Sequence, residues 1–162
     1  FPAEPDDAQT AMSAIGAFDV AATPLQMAMM AAAVQNGGVV MEPYLVESVQ
    51  THDMRVISQA RPRQHGTAVS ESVADSLHDM MVSVVENGTG RRAQISGLTI
   101  GGKTGTAVPD ENRRPYAWFT AFADELDLAV CVFIEDAEIP ATDIAGGTLA
   151  APIAKAVIQA MR

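Results

Sequence analysis

A chain of 162 residues with 48% apolar side chains is too hydrophobic to be a disordered tail, and at that length it can bury about 68–70% of its unfolded surface. Its 10 basic and 20 acidic residues give a formal net charge of −10, which excludes a nucleic-acid surface and a polybasic grip on an anionic membrane, since both need a basic face. Of the basic residues only Lys103 and Lys155 are lysines, and the lone cysteine, Cys131, allows no intrachain disulfide and does not identify a compartment.

In chain order, Phe1-Pro2-Ala3-Glu4-Pro5-Asp6-Asp7 offers no initiator Met, basic segment or apolar signal core, so residues 1–13 are expected to be a lead-in to a piece of a longer protein. Thr23-Pro24 then opens a helix, Thr as N-cap and Pro in the first turn, which runs from Leu25 to Val34 and stops at Asn36-Gly37-Gly38. This helix is apolar on nearly every face and is expected to be buried between a sheet and other helices, yet it is far shorter than the ~20 residues a membrane span requires. Tyr44 to Gln50 and Met54 to Gln59 read as a small hairpin turning at Thr51-His52-Asp53, and Arg61 to Thr67 as a loop. A second helix, from near Ser70 to Asn87-Gly88, carries the stripe Val73, Leu77, Met80, Met81 and Val84 as its packing face, with Asp75, His78 and Asp79 solvated.

Three strands follow, Thr99–Val108, Tyr116–Ala123 and Leu128–Glu135, the last two joined by the hairpin loop Asp124-Glu125-Leu126-Asp127. Cys131 lies in the apolar run of the third, where a small core residue is expected. Trp118 and Phe119 point to opposite faces of their strand, so at least one of them packs in the core. Gly147 to Met161 is expected to be a helix covering the sheet through Leu149, Ile153, Val157 and Ala160. The fold class is therefore α+β, an antiparallel sheet flanked by helices. It divides into the lead-in, a mainly helical part with a small hairpin (14–98), and a part with three strands and a closing helix (99–162).

The chemistry concentrates in Gly97-Leu98-Thr99-Ile100-Gly101-Gly102-Lys103-Thr104-Gly105-Thr106. Gly97 to Thr104 satisfies the phosphate-loop pattern G-x-x-x-x-G-K-[ST], and Glu135-Asp136 after an apolar strand is similar to the acidic Mg²⁺ ligand of nucleotide enzymes. That reading requires a helix directly after Lys103-Thr104, because the helix N-terminus binds the phosphates. The actual continuation, with Gly105, Pro109, Pro115 and the turn-rich stretch Pro109-Asp110-Glu111-Asn112, leaves no room for one. Read as a strand, the same residues suit acyl transfer. A sheet edge can pair with an extended peptide, Gly105 leaves room for a substrate and a nucleophile, Lys103 brings a positive charge, and the hydroxyls of Thr104 and Thr106 can bind a carboxylate.

The neighbouring segments carry a resemblance. Ala14-Ile15-Gly16, Thr23-Pro24-Leu25-Gln26-Met27-Ala28, Asn36-Gly37-Gly38, Glu42-Pro43-Tyr44, Val84-Val85-Glu86-Asn87-Gly88-Thr89-Gly90 with Ala93, Lys103-Thr104-Gly105-Thr106, Ala117-Trp118-Phe119-Thr120 and Gly146-Gly147 follow one another at a spacing that resembles the penicillin-binding protein transpeptidase domain, in its monofunctional (class B) form. The resemblance implies the C-terminal half of a serine β-lactamase-like domain. In this family the nucleophile lies in S-x-x-K and a second serine in S-x-N. None of the eight serines here has Lys three positions on or opens S-x-N, so the segment alone is expected to be inactive. By resemblance, Lys103 organises proton transfer and the substrate carboxylate, Thr104, Gly105 and Thr106 line the substrate strand, and the Thr106 amide forms half of the oxyanion hole. The implied reaction is cross-linking of peptidoglycan stem peptides ending in D-alanyl-D-alanine, with β-lactams as trapped mimics and no metal or cofactor. The implied partners are the N-terminal half of the domain and the cell-division or elongation machinery, at the extracytoplasmic face of the plasma membrane behind an upstream membrane anchor.

The alternatives are the nucleotide-binding domain and a non-catalytic interaction or sensor module. His52, His65 and His78 lie too far apart for metal-ligand spacing and are expected in loops and on the surface. Arg91-Arg92 and Arg113-Arg114 are expected in solvated turns, and Met29, Met30, Met80 and Met81 as a soft interface to the absent half. Without that half, exposed apolar surface is expected to favour dimerisation.

Overall fold

The computed structural model describes residues 3–108 and 113–162; the expected turn at Pro109–Asn112 lies outside the described residues. The first element is helix α1, Asp7–Ala14. Asp6 caps it: its carboxylate accepts from the Gln9 amide at 2.8 Å while the Gln9 side chain accepts from the Asp6 amide at 3.1 Å. The expected lead-in thus contains a helix, because Asp6 and Gln9 form a reciprocal cap despite the prolines before them.

Helix α2, Pro24–Gln35, starts as expected with the equivalent Thr23–Gln26 box. Ala31 and Ala33 are buried against the structure, but Leu25 and Met30 are 57% and 60% exposed. The expectation of burial on every side is corrected: the described elements cover one face of α2 and leave the other open.

A small β region follows. Strands β1 (Val39–Met41) and β4 (Gln64–Thr67) pair antiparallel, as do β2 (Ser48–Gln50) and β3 (Val56–Gln59). The β2–β3 hairpin is the expected one, shortened at both ends. The expected loop at Arg61–Thr67 contains β4, a polar strand formed by backbone pairing with Val39–Met41 rather than by a hydrophobic pattern.

Helix α3, Glu71–Glu86, then crosses to the main sheet. Its inward residues are Ala74, Leu77, His78, Met81 and Val85, while Val73 and Met80 are exposed. The expected stripe is therefore rotated, and His78 is turned inward: its ring stacks on Phe122 at 4.8 Å and its Nε2 lies 2.9 Å from Asp124 Oδ2. A small residue, Ala74, lets α3 approach closely, and that approach decides which face packs.

The main sheet has the order β5-β6-β7, all antiparallel: β5 Ile100–Ala107, β6 Tyr116–Ala123 and β7 Leu128–Ile134. A 3₁₀ turn at Asp124–Leu126, closed by Asp127 in the left-handed conformation, joins the last two. On one face of β6 the hydroxyl of Thr120 donates to the Met27 carbonyl of α2 at 2.9 Å. On the other, Phe119, Ala121 and Ala123 form the core with Val85, Ile95, Ile100 and the closing helix. Cys131 is half-buried on β7, and burial pushes its thiol above the usual value.

That closing element begins as a π turn, Gly146–Ala150, and continues as helix α4, Ala151–Ala160. The buried positions are Ala150, Ala151, Ala154 and Ile158, while Ile153 and Val157 are 46% and 41% exposed. The expected contact face of Leu149, Ile153, Val157 and Ala160 is corrected: small alanines let the helix lie close to the sheet, with the fully buried Ile158 contributing about 1.5–3 kcal/mol of apolar burial. Among the described residues no helix is long and apolar enough to cross a membrane.

Candidate active-site strand

Strand β5 lies at an edge of the three-stranded sheet, with β6 on one side and no strand of the described residues on the other. Its first half is fixed by two glycines. A Cβ at Gly101 would fall inside the Phe122 ring, and one at Gly102 would collide with Phe119, the residues' neighbours on β6. Immediately before Lys103 the strand is therefore flanked by two buried aromatic rings, Phe122 on the α2 face of the sheet and Phe119 on the α4 face.

The register fixes where its polar groups point. Ile100 is opposite Ala123, and one step beyond, the Asp124 amide donates to the Thr99 carbonyl at 3.1 Å. In an antiparallel ladder successive residues alternate between facing the partner and facing away. Residues 101, 103 and 105 thus bond to β6, and the amides and carbonyls of Gly102, Thr104 and Thr106 project from the open edge. Side chains alternate across the sheet as well. Lys103 is opposite Thr120, on the α2 side, whereas Thr104 is opposite Phe119, on the α4 side.

Lys103 is exposed, and its ammonium reaches over the edge to donate to the Thr104 carbonyl at 2.6 Å. Thr104 and Thr89 hydroxyls share a hydrogen bond of 2.9 Å. Thr89 comes from the turn after α3, where the Gly88 and Gly90 amides both donate to the Val84 carbonyl. Thr106 is exposed and its amide belongs to the outward set. Gly146 supports the strand from the α4 side: a Cβ there would be 2.7 Å from the Gly105 carbonyl oxygen and would overlap the Trp118 carbonyl. The four motif residues are thus brought together along one open edge, with a cation, two outward amides and two hydroxyls.

Thr89 has no role assigned from sequence, although the alternation Gly88-Thr89-Gly90 was the available signal. Trp118 is half-buried opposite Gly105, its ring tilted by 33° against Phe133 with centroids 4.2 Å apart, and Tyr116 meets Phe133 edge-on at 5.3 Å. Phe119 is fully buried on the opposite face, as the strand alternation requires. Arg113 and Arg114, expected in solvated turns, are exposed and make surface contacts: Arg113 donates to the Tyr116 hydroxyl at 2.8 Å, and Arg114 lies 3.6 Å from Asp136. His78 is the histidine that leaves the expected surface role, and no cluster of potential metal ligands occurs among the described residues. The phosphate-loop reading does not fit this geometry, because the chain stays extended from Thr104 through Ala107 where a helix is needed.

Comparison with known proteins gives the same family that the motifs resemble. Residues 4–159 match the family model of the penicillin binding protein transpeptidase domain. The peptidoglycan D,D-transpeptidase PbpA of Mycolicibacterium smegmatis is 46% identical over 162 residues, covering 96% of this chain and 32% of the relative. Its namesake in Mycobacterium tuberculosis strain H37Rv is 42% identical over 163 residues, again covering 96% of this chain and 32% of the relative. Among solved structures, a ceftriaxone acyl-enzyme complex of penicillin-binding protein A from M. tuberculosis superposes with a TM-score of 0.88 at 41% identity, over 97% of this chain and 36% of that one. A penicillin G acyl-enzyme complex of the same protein gives 0.83 at 42% identity, over 96% of this chain and 35% of that one. The chain spans about a third of the length of the curated relatives it matches.

Proposed function

This chain belongs to the penicillin-binding protein transpeptidase family, on its class B side, and from that premise we propose that it supplies the substrate strand and half of the oxyanion hole of a peptidoglycan D,D-transpeptidase. Residues 14–98 and 99–162 are then two parts of one domain, whose remaining part brings the serine nucleophile and the second serine motif. The observation that carries this reading is the open edge of β5, where Lys103 and the outward amides of Thr104 and Thr106 stand together.

The mechanism follows from that edge. A stem peptide ending in D-alanyl-D-alanine lies antiparallel to β5 and takes main-chain hydrogen bonds from it. Its terminal carboxylate meets the Lys103 ammonium and the hydroxyls of Thr104 and Thr106, the first of these oriented by Thr89. The serine attacks the penultimate carbonyl, and the new oxyanion is held by the Thr106 amide and the nucleophile's own amide. One such donor contributes about 3 kcal/mol to the transition state. Lys103 exchanges its Thr104 carbonyl for the second-motif serine and helps pass the proton to departing D-alanine. An amine of a neighbouring stem then attacks the acyl-enzyme and completes the cross-link. A β-lactam follows the first half of this course and remains attached. The reaction takes place outside the plasma membrane, with the parent protein anchored upstream and working beside the cell-division or elongation machinery.

The test uses the full-length protein and a fluorescent penicillin. Lys103→Ala is expected to slow acylation by about a hundredfold or more while leaving the melting temperature unchanged, because the side chain is exposed. An unchanged acylation rate in that variant would overturn the role given to Lys103.

A further inference from the structure

A second concavity lies away from the open edge of β5. It is a half-open hollow of about 570 Å³ lined by residues of α3, the turn after it, the root of β5 and α4. Its charged lining is Arg91, Arg92, Lys155 and Glu86. The rest is made by the neutral polar residues Gln94, Ser96 and Thr99 and by apolar residues.

The charge balance of this cavity opposes that of the molecule. In a chain with 20 acidic and 10 basic residues, three of the ten basic residues line this hollow against one acidic residue, while the carboxylate of Glu125 is held by the amide and hydroxyl of the lining residue Thr99. None of the three has a carboxylate within ion-pair distance among the described residues. The guanidinium of Arg91 donates to the Asn87 carbonyl at 2.8 Å and that of Arg92 to the Thr148 carbonyl at 3.2 Å. Carbonyl partners hold both guanidiniums in place without neutralising them, and each keeps donors to spare. The Gln94 amide, by contrast, is tied to the Val85 and Glu86 carbonyls and braces the wall.

We propose that this cavity is an anion-binding site for a small ligand bearing two or more oxyanion groups, phosphate or carboxylate, gripped by Arg91, Arg92 and Lys155. Forked guanidiniums suit oxyanions, and Lys155 of α4 adds an ammonium to the same lining. Glu86 sets a limit on affinity by repelling the same groups.

Calorimetric titration of the full-length protein with pyrophosphate and with citrate tests this, the two probes separating a phosphate from a carboxylate preference. Millimolar or tighter binding of at least one probe is expected, weakening as salt rises. Lys155→Gln is expected to weaken it about tenfold, as the loss of one charged hydrogen bond implies. Glu86→Gln is expected to tighten it. Neither variant is expected to alter acylation by fluorescent penicillin, which shows that both are folded. Absence of binding by both probes at ten-millimolar concentration, or affinity indifferent to Lys155→Gln and Glu86→Gln, would overturn the proposal.

Discussion

A methyl group at Gly102 would sit 2.5 Å from Phe119 Cζ, far inside contact distance, and Phe119 is fully buried and cannot give way freely. Gly102→Ala is therefore expected to destabilise the protein by about 1–3 kcal/mol, as overpacking does, with β5 displaced from β6. Thermal denaturation and penicillin acylation should fall together in this variant, unlike Lys103→Ala. Cys131 gives a second residue-level expectation. Burial raises its thiol pKa, so the thiolate that reacts with iodoacetamide forms only at more alkaline pH than for an exposed cysteine. Its contribution to stability is present below the unfolded thiol pKa and declines as pH rises through the folded one. Alkylation of the native protein at neutral pH should be slower than that of the urea-unfolded chain, and equal rates would contradict the burial of β7. The motif residues of the candidate site were legible as a contiguous signal, Lys103-Thr104-Gly105-Thr106, and the strand places them along one edge. Their partner Thr89 was not, because its contact with Thr104 depends on how the turn after α3 is seated. The outward direction of the Thr106 amide was equally hidden, since it depends on strand register.

Two clasps tie the β6–β7 turn to its surroundings, and they set the expectations for elements. Glu125 accepts the Thr99 amide and the Thr99 hydroxyl, each at 2.8 Å, which pins the turn to the root of β5. The Thr99 backbone amide is the main cause that holds the Glu125 carboxyl below its usual value. A lowered folded-state pKa means the clasp stabilises above the unfolded carboxyl pKa and is lost as pH falls through the folded one. The melting temperature of Glu125→Gln should thus lie below that of the parent at neutral pH, and the gap should close in acid. The second clasp joins α2, α3 and the same turn: Gln35 donates to the Ala123 carbonyl at 3.1 Å while Asp124 meets His78 at 2.9 Å. Asp124→Ala leaves the Nε2 of the half-buried His78 imidazole without its partner, a loss of about 1–3 kcal/mol measurable by urea denaturation. Element positions were the more readable level. Strands β5 to β7 fall within one residue of expectation, because glycines, a polar four-residue turn and alternating aromatics bound them. Helix phase was less readable. A face chosen by bulk favours Val73 on α3 and Ile153 and Val157 on α4, yet the packed faces are built on Ala74 and Ala154, which let helix and sheet approach. The large residues turned outward instead, and nothing in the periodicity separates the two faces when both are apolar.

For the molecule as a whole, that outward set has a consequence. Leu25 and Met30 on α2, Val73 and Met80 on α3, and Ile153 and Val157 on α4 are all exposed. The main sheet also has two open edges among the described residues, and its β7 edge, Leu128-Ala129-Val130-Cys131-Val132-Phe133-Ile134, carries no charge and no proline. Natural edges are usually blunted by such residues, and unblunted ones pair with other chains. The 162-residue segment alone is therefore expected to self-associate and to bind dyes that report apolar surface, whereas a longer protein in which the proposed remainder of the domain packs on these faces is expected to do neither. Charge sets the direction of the salt effect. At a net charge of −10 the copies repel one another, and screening shortens that repulsion to about 8 Å at physiological ionic strength. Association driven by apolar faces should then increase from low to moderate salt, the opposite of association through ion pairs. Sedimentation velocity of the segment across that range distinguishes them. Monomers at every salt and protein concentration, without dye binding, would show that the exposed faces of α2, α3 and β7 need no cover.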